Sequence, residues 1–503
     1  MLMLQNKITE SFRKTFDEKY QIYPASLKHK KDNNFFLVKE DQKKFLVIAG
    51  PPSQQKELDF GTNREKVIED YGQDGLLFRI CPLTHHNLTQ LQSIFNYLQP
   101  SISSMKPSFG TGDRLGIATA AHIKAFKDKN IFPVLAQQSV REMERTDSNW
   151  QQVLDNALWG CFEAGYEGKF GADADHVKDL ENLKKAIDCG FTFYTIDPSD
   201  HINDNVLKFD KDELRKKYQQ LPEKEEIEKR YLEKDYKIGT NKLFFTQDNL
   251  AEIVLTYGEA INHVEKCYQF LKENHKGDFE LEVSVDETLN PTSPLAHLWI
   301  AMELQHRGID FQNIAPHYIG DWEKGIDYIG DINVFREEFK IHCQIASQMG
   351  GYKLSLHSGS DKFSIYPIFA KESGGYFHVK TAGTSWLEAI KAIVVSDPGL
   401  YRQVHEFALK CFEKDSFSYL LSTDLRKIPD IKELKDNQLV QLFSNNNARQ
   451  LIHITYGSIL REKDTFNRYR FRNRIYKSLF ENEEIHYKNV ISHIRHHLEL
   501  LNL

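Results

Sequence analysis

Two aspartates and a histidine crowd the segment GADADHVK, residues 171–178. Carboxylates as close as Asp173 and Asp175 repel and raise one another's pKa unless a divalent cation or a bound polyol compensates them. His176 offers a neutral nitrogen to such a cation, and the two aspartates can ligate it, orient the ring or hold substrate hydroxyls. The plainer reading is that Asp175 caps a following helix. A second cluster, SLHSGSDKFS, sets His357 beside Ser358, Ser360, Asp361 and Lys362. There the ammonium and backbone N–H groups are suited to a carboxylate, and the imidazole to a metal; the plainer reading is a histidine satisfied in the core. His317 in NIAPHYIGDWEKGIDY supplies a third imidazole. Three histidines from three strands suit Zn²⁺, Ni²⁺ or Mn²⁺ with positions left open for substrate oxygens.

Acids and bases stand in other segments. Glu142 follows AQQSV, where Gln138 is a candidate for holding substrate, and ELEVSVDET carries Glu282, Asp286 and Glu287. Strand alternation puts Glu282 and Asp286 on one face and sends Val283 and Val285 to the other. A charge inside a strand is rarely filler, which favours a functional role for Glu282. SFGTGDRLG has neither the lysine spacing of a P-loop nor a GxGxxG after a strand, so Asp113 and Arg114 read as a substrate-facing turn, with the guanidinium suited to a carboxylate. In TIDPSDH, Asp197, Asp200 and His201 are equally suited to holding hydroxyls or forming a turn.

These segments need a scaffold that brings distant residues to one place. From about residue 100 to residue 385 a short β-type run, a polar turn and a helical stretch recur, with eight runs ending near Ser108, Gln137, Gly171, Ile196, Val285, Ala315, His357 and Lys380. Eight such units point to an α/β fold, a closed (β/α)8 TIM-type barrel whose strand ends face the reaction. Runs such as IFPVLAQQ, FTFYTID and YFHVKTAG are rich in β-branched and aromatic residues, as buried parallel strands are. NWQQVLDNALWGCFEAGY and INVFREEFKIHCQIASQMG carry apolar residues at helical spacing and would cover the barrel outside. The expected divisions are an N-terminal α/β cap with β-strands over 1–95, the catalytic barrel over 96–400 and a helical C-terminal extension over 401–503 packed on the barrel. Within the barrel, residues near 202–245 form a charged helical insertion whose interleaved charges suit a solvated face.

Composition excludes several classes. With 65 basic and 72 acidic side chains and no region where one sign dominates, a phosphate-tracking surface is not expected, and nucleic acid is not a partner. No apolar stretch approaches the roughly 18 residues of a membrane span, and the N-terminal segment lacks the apolar core of a signal peptide, so a cytoplasmic protein without a membrane partner is expected. The six cysteines are scattered and form no CxxC pair, as reduced, mostly buried thiols are. A homo-oligomer is compatible with all of this.

Taken in order, SFGTGDRLGIAT, AQQSVREMERT, GADADHVK, TIDPSDH, EVSVDET, EKGIDYIGD and SLHSGSDKFSIYP resemble the tagaturonate epimerase family across roughly residues 100–460. The resemblance implies a barrel, a divalent metal cation and interconversion of the sugar acids D-tagaturonate and D-fructuronate in hexuronate breakdown. By it, His176, His317 and His357 are the expected metal ligands, and Glu142, Glu282, Asp286 and Asp175 compete for proton transfer. Asp113, Arg114, Gln138, Asp173, Ser358, Asp361 and Lys362 are the expected substrate contacts. In these substrates the inverted carbon and the ketone are not adjacent, so simple enolisation does not acidify the C–H at the inverted centre. Retro-aldol cleavage, rotation of the released aldehyde and re-addition to its other face would invert it, and two-base proton transfer is the alternative. Competing functions are a ketose 4-epimerase acting on neutral fructose or tagatose, a class II-like sugar-acid aldolase, and a sugar-acid binding protein without turnover.

Overall fold

The computed structural model describes residues 2–16, 19–69, 74–417 and 419–503. Eight parallel strands close into a cylinder: β1 (Ser108–Thr111), β2 (Phe132–Ser139), β3 (Gly171–Val177), β4 (Phe193–Ile196), β5 (Glu280–Val285), β6 (Asn313–Pro316), β7 (Lys353–Leu356) and β8 (Phe377–Thr381). Each pairs with its neighbour in sequence, and β8 closes on β1 through Lys380 opposite Gly110. The fold is the expected TIM-type barrel. Two run ends move: Ser108 and Gly171 begin their strands, so GADADHV is itself β3.

The two faces of these strands differ sharply. Outward residues such as Leu135, Ala174, Tyr194, Val283, Leu354 and Val379 join one large apolar core with the surrounding helices. Inside the cylinder, Phe132, Val134 and Phe193 form an apolar cluster at the end where the strands begin. Most of the remaining inward side chains, among them Asp173, Thr195, Glu282, Ser284, Asn313, Lys353 and Lys380, are polar, whereas a barrel of this kind is ordinarily filled by branched aliphatic side chains.

Ahead of the barrel, a six-stranded antiparallel sheet spans Gln21–Ile22 to Leu76–Pro82. Both its faces are covered, which is why FFLV and FLVIA are continuously apolar: Phe36, Val38, Val47 and Phe78 pack against Ile8 and Phe12 of the helix Leu2–Thr15, and Phe35, Leu37, Leu46 and Ile48 join the barrel's core. Between β4 and β5, the helices Lys211–Gln219 and Lys224–Tyr231 and the hairpin Asp235–Ile238/Asn241–Phe244 form the charged insertion, which buries Leu214, Tyr218, Ile227 and Tyr231.

After β8, the helix Thr384–Ser396 begins a second core built from Trp386, Tyr401, Leu451 and Ile475. The last helix, Glu483–Leu500, returns to the barrel and packs against Thr119–Phe126 and Thr384–Ser396 with Val490, Ile494 and Leu498 fully buried. Among the described residues, no helix is long and apolar enough to cross a membrane, and all six cysteines are free.

Ile494 is wholly buried where this helix docks. Ile494→Ala is expected to cost about 2–5 kcal/mol through lost burial and the cavity left behind. Equilibrium urea unfolding checks it: the variant's midpoint should fall while its far-UV circular dichroism before the transition matches the parent protein.

Candidate active site

At the centre of the cylinder, Lys380 on β8 points its ammonium at three carboxylates. Asp173 Oδ2 lies 2.7 Å away, and Asp175 Oδ1 and Glu282 Oε1 both lie at 2.8 Å. All four groups are buried, and the Thr195 hydroxyl joins them, accepting from Lys380 and standing within reach of Asp173 and Glu282, to one of which it donates. Burial alone favours the neutral amine, but the three carboxylates hold Lys380 protonated, well above its ordinary range. Burial pushes the Asp173 carboxyl up, with Asp175 and Glu282 adding to the push; Asp175 is carried down against its burial by Lys380, His176 and His357. The crowding in GADADHVK is therefore compensated first by a lysine of the protein's own.

Above this layer two imidazoles meet, with ring centroids 4.9 Å apart. His357, just past β7, bonds Glu282 Oε1 through Nε2 at 2.6 Å and Asp286 Oδ1 through Nδ1 at 3.0 Å. His176 arrives by a backbone irregularity. Simple alternation sends it outward while Asp173 and Asp175 face in, but its φ of +52° and a register shift against β4 place it at the mouth beside Asp175. Its Nδ1 bonds Asp197 Oδ2 at 3.1 Å, and its Nε2 stands 3.8 Å from Asp175 Oδ1. Burial opposes protonation of both rings, yet the acids win: Asp175, Asp197 and Asp286 lift His176 to about 10, and Asp286 and Glu282 lift His357.

Potential ligand atoms of His176, His357 and Asp286 all lie within 4.8 Å of one another. Two imidazoles and one carboxylate are a donor set that suits Zn²⁺, Ni²⁺ or Mn²⁺ with positions left open. Asp197 on His176 and Glu282 on His357 stand where the carboxylates that orient metal-binding histidines stand. These residues fit a divalent cation. A further grouping of Asp361, His493 and His497 does not: His497 is already committed on both nitrogens, to the Asp361 N–H and the His493 carbonyl, and Arg449 sits on Asp361 at 2.7 Å.

The mouth pocket is lined by Asp175, His176, His357, Lys380, Arg114 and Glu142, with Gln137, Lys324, Ser358 and His453 around them. Arg114 donates to Glu142 Oε1 at 2.9 Å and to the His453 carbonyl at 3.1 Å, and its guanidinium lies 3.7 Å over the Tyr456 ring.

Several expected residues are engaged elsewhere. His317 is tied through Nδ1 to the Thr288 carbonyl and hydroxyl and joins no potential metal group among the described residues, whereas His176 and His357 share one with Asp286. Asp113 accepts from the N–H groups of Leu115, Gly116 and Ala118, which makes it the anchor of its own turn. Gln138 donates to the Asp113 carbonyl, and Gln137 faces the pocket in its place, because a register shift in β2 between Val134 and Ala136 reverses the alternation. Gln137 is buried with neither amide atom bonded, over Gly110, where a Cβ would lie 1.6 Å from its Oε1. Asp361 is held by Arg449 and His493, and the Lys362 ammonium by the carbonyls of Glu323, Ile326 and Ser360. Asp200 pairs with Lys178 at the surface, and His201 stacks on His263 at 4.2 Å.

Lys380, Gln137, Lys324 and His453 are the site residues that sequence reasoning passed over. For Lys380 a signal existed: a lysine inside the apolar run YFHVKT carries the same burial cost that singled out Glu282. For Gln137 the signal was hidden by the bulge.

The chain matches the tagaturonate epimerase family over residues 23–501. It is 46% identical over 494 residues to the tagaturonate/fructuronate epimerase of Thermotoga maritima, covering 98% of this chain and 99% of that one. Crystal structures of the fructuronate-tagaturonate epimerase of Cohnella laeviribosi, native and complexed with glycerol, superpose with a TM-score of 0.91 at 36% identity and cover 99% of both chains.

Because its carboxylate neighbours keep His176 protonated through neutral pH, a cation binding there must displace a proton. Zn²⁺ affinity is therefore expected to rise between pH 6 and pH 8, by up to about tenfold per unit for each proton released. Isothermal titration in two buffers of different ionisation enthalpy measures this, and a proton-independent affinity would contradict the assignment of His176.

Proposed function

Because the chain belongs to the tagaturonate epimerase family, we infer that it is a carbohydrate epimerase that interconverts D-tagaturonate and D-fructuronate. The observation that carries this reading at the level of residues is the meeting of Asp175, His176, His357 and Asp286 at the barrel mouth, one charged layer above Lys380. His176, His357 and Asp286 would hold a divalent cation. When bound, it supplies a Lewis acid that favours oxyanions on the sugar. A cytoplasmic location belongs to the same reading, and six free cysteines support it.

Asp175 and Glu142 are the two carboxylates that line the pocket, and Glu142 is bound to Arg114. We assign to Asp175, kept ionised by Lys380 and the two imidazoles, removal of the proton from the hydroxyl on the carbon to be inverted. As the O–H proton leaves, that oxygen forms an aldehyde carbonyl. The bond to the neighbouring carbon breaks, and its electron pair passes toward the ketone as an enediolate. Rotation of the aldehyde and re-addition to its opposite face re-form the bond, and Asp175 returns the proton to the new alkoxide. No atom is gained or lost. Glu282 acts one step back, bonded to His357 and Lys380, so its role is to orient and charge those groups. Gln137 holds a substrate hydroxyl through an amide with no protein partner, and Arg114 holds Glu142 at the rim of the pocket. In the two-base alternative Asp175 and Glu142 exchange protons with opposite faces of one carbon.

Metal-replete protein incubated with D-fructuronate should yield D-tagaturonate as the sole new species by NMR, and three-carbon fragments accumulating instead would place the chain with the aldolases. In deuterated water the inverted carbon should remain protonated; deuterium there during turnover removes the retro-aldol route. Asp175→Asn should lower kcat by about 10²- to 10⁴-fold while His176 and His357 still bind cation, measured by steady-state kinetics with metal content determined in parallel.

A further inference from the structure

A sugar acid brings a carboxylate into this site, and the cations expected to receive it are engaged by the protein itself. Lys362 is buried among three carbonyls, and Arg114 is taken up by Glu142, the His453 carbonyl and the Tyr456 ring. Of the remaining cations that line the pocket, Lys380 serves three carboxylates, and Arg141 reaches Glu287 at 3.3 Å with its guanidinium 5.4 Å over Tyr419. Lys324 differs. Its ammonium donates to the Ser358 hydroxyl, and among the described residues no carboxylate lies within 4.0 Å of it.

A half-buried ammonium beside a neutral hydroxyl is a charge left for a ligand. A second, independent feature points to the same place. His453 is 3% exposed and lines the pocket, and its Nδ1 is buried without a hydrogen-bond partner. Burial and the cations Arg114 and Lys324 keep its imidazole neutral. The ring is fixed by close packing: a Cβ at Gly383 would lie 1.9 Å from its Cε1. Ser358 follows His357 directly and has a φ of +49°, so one tight turn joins the two ends of the site. Its first residue belongs to the reacting end and its second to the Lys324 end.

We infer that Lys324, with the Ser358 hydroxyl and His453 Nδ1, forms the subsite for the substrate's carboxylate and sets the preference for a uronate over a neutral ketose. This rests on the epimerase reading above and adds to it a residue that determines specificity. The acceptor-only oxygens of a carboxylate suit an ammonium and a ring N–H, and a hydroxymethyl group in the same place would leave the charge unmatched. Lys324 takes no part in proton transfer.

Lys324→Met and Lys324→Arg, compared with the parent protein at equal metal content, test this. Lys324→Met should raise KM for D-fructuronate about 10- to 100-fold, far more than it changes kcat, and narrow the discrimination against D-fructose by a similar factor. Lys324→Arg should recover part of the loss. A fall in kcat at unchanged KM, or equal losses for the uronate and the neutral ketose, would overturn the assignment, since a structural or catalytic role gives those patterns. Competitive binding of D-gluconate and D-glucitol separates this inference from the one beneath it. If the parent protein fails to turn over D-fructuronate, the epimerase reading fails by itself. The subsite still stands if Lys324→Met weakens D-gluconate about tenfold or more relative to D-glucitol, and falls if both polyols respond alike.

Discussion

A buried ammonium ringed by three buried carboxylates is the constraint around which this barrel is built. An isolated charge in such a place costs several kcal/mol, and removing one partner from a buried cluster strands the others. Lys380 therefore ties β8 to β3 and β5 across the cylinder, through Asp173, Asp175 and Glu282. In the layer above, Asp286 and Glu282 draw a proton onto His357, and Asp175, Asp197 and Asp286 draw one onto His176. Potential ligand atoms of His176, His357 and Asp286 gather in that layer. The polar interior is thus one electrostatic unit, with the lysine at its base and the imidazoles at its mouth.

The rigidity of the mouth comes from outside the barrel. The turn after β7 places Ser358 and Asp361 in left-handed backbone conformations, with φ of +49° and +64°. Such conformations persist only where the surroundings over-determine them. Here Arg449 and His493, both from the C-terminal extension, grip Asp361, and Arg449 also donates to the Gly325 carbonyl. Lys362 pins the neighbouring turn after β6 through Glu323 and Ile326. Two loops that carry the pocket's Lys324 and Ser358 are locked to each other by buried charges, with the last helix as their support. The extension after β8 is in this sense part of the site, although His493 and His497 do not line the mouth pocket.

The residues themselves disclosed a good deal. Eight β-type runs at helical intervals announced the barrel, because a parallel strand covered on one side by helices must be apolar there, and alternation then reveals which residues turn inward. GADADHVK, EVSVDET and SLHSGS were legible as chemistry because charges in buried strands are costly unless used. In β5 that logic ran without error: Glu282 and Asp286 share a face and meet the same histidine.

Where the backbone departs from alternation, composition and spacing carry no trace of it. A one-residue register shift in β2 exchanges Gln138 for Gln137, and a left-handed residue in β3 swings His176 to the side of Asp175. The partners of charges were equally hidden, since Arg114 and Lys362 read alike as cations for a carboxylate, yet one holds a glutamate and the other only carbonyls, while Lys380 holds the carboxylates. The amino-acid sequence by itself determined the barrel, the family and the kinds of group that reach its mouth. Tertiary structure alone decided which of those groups remain free to meet a ligand, because a charge is satisfied by whatever lies within a few ångströms in space, and that neighbourhood comes from strands and helices far apart along the chain.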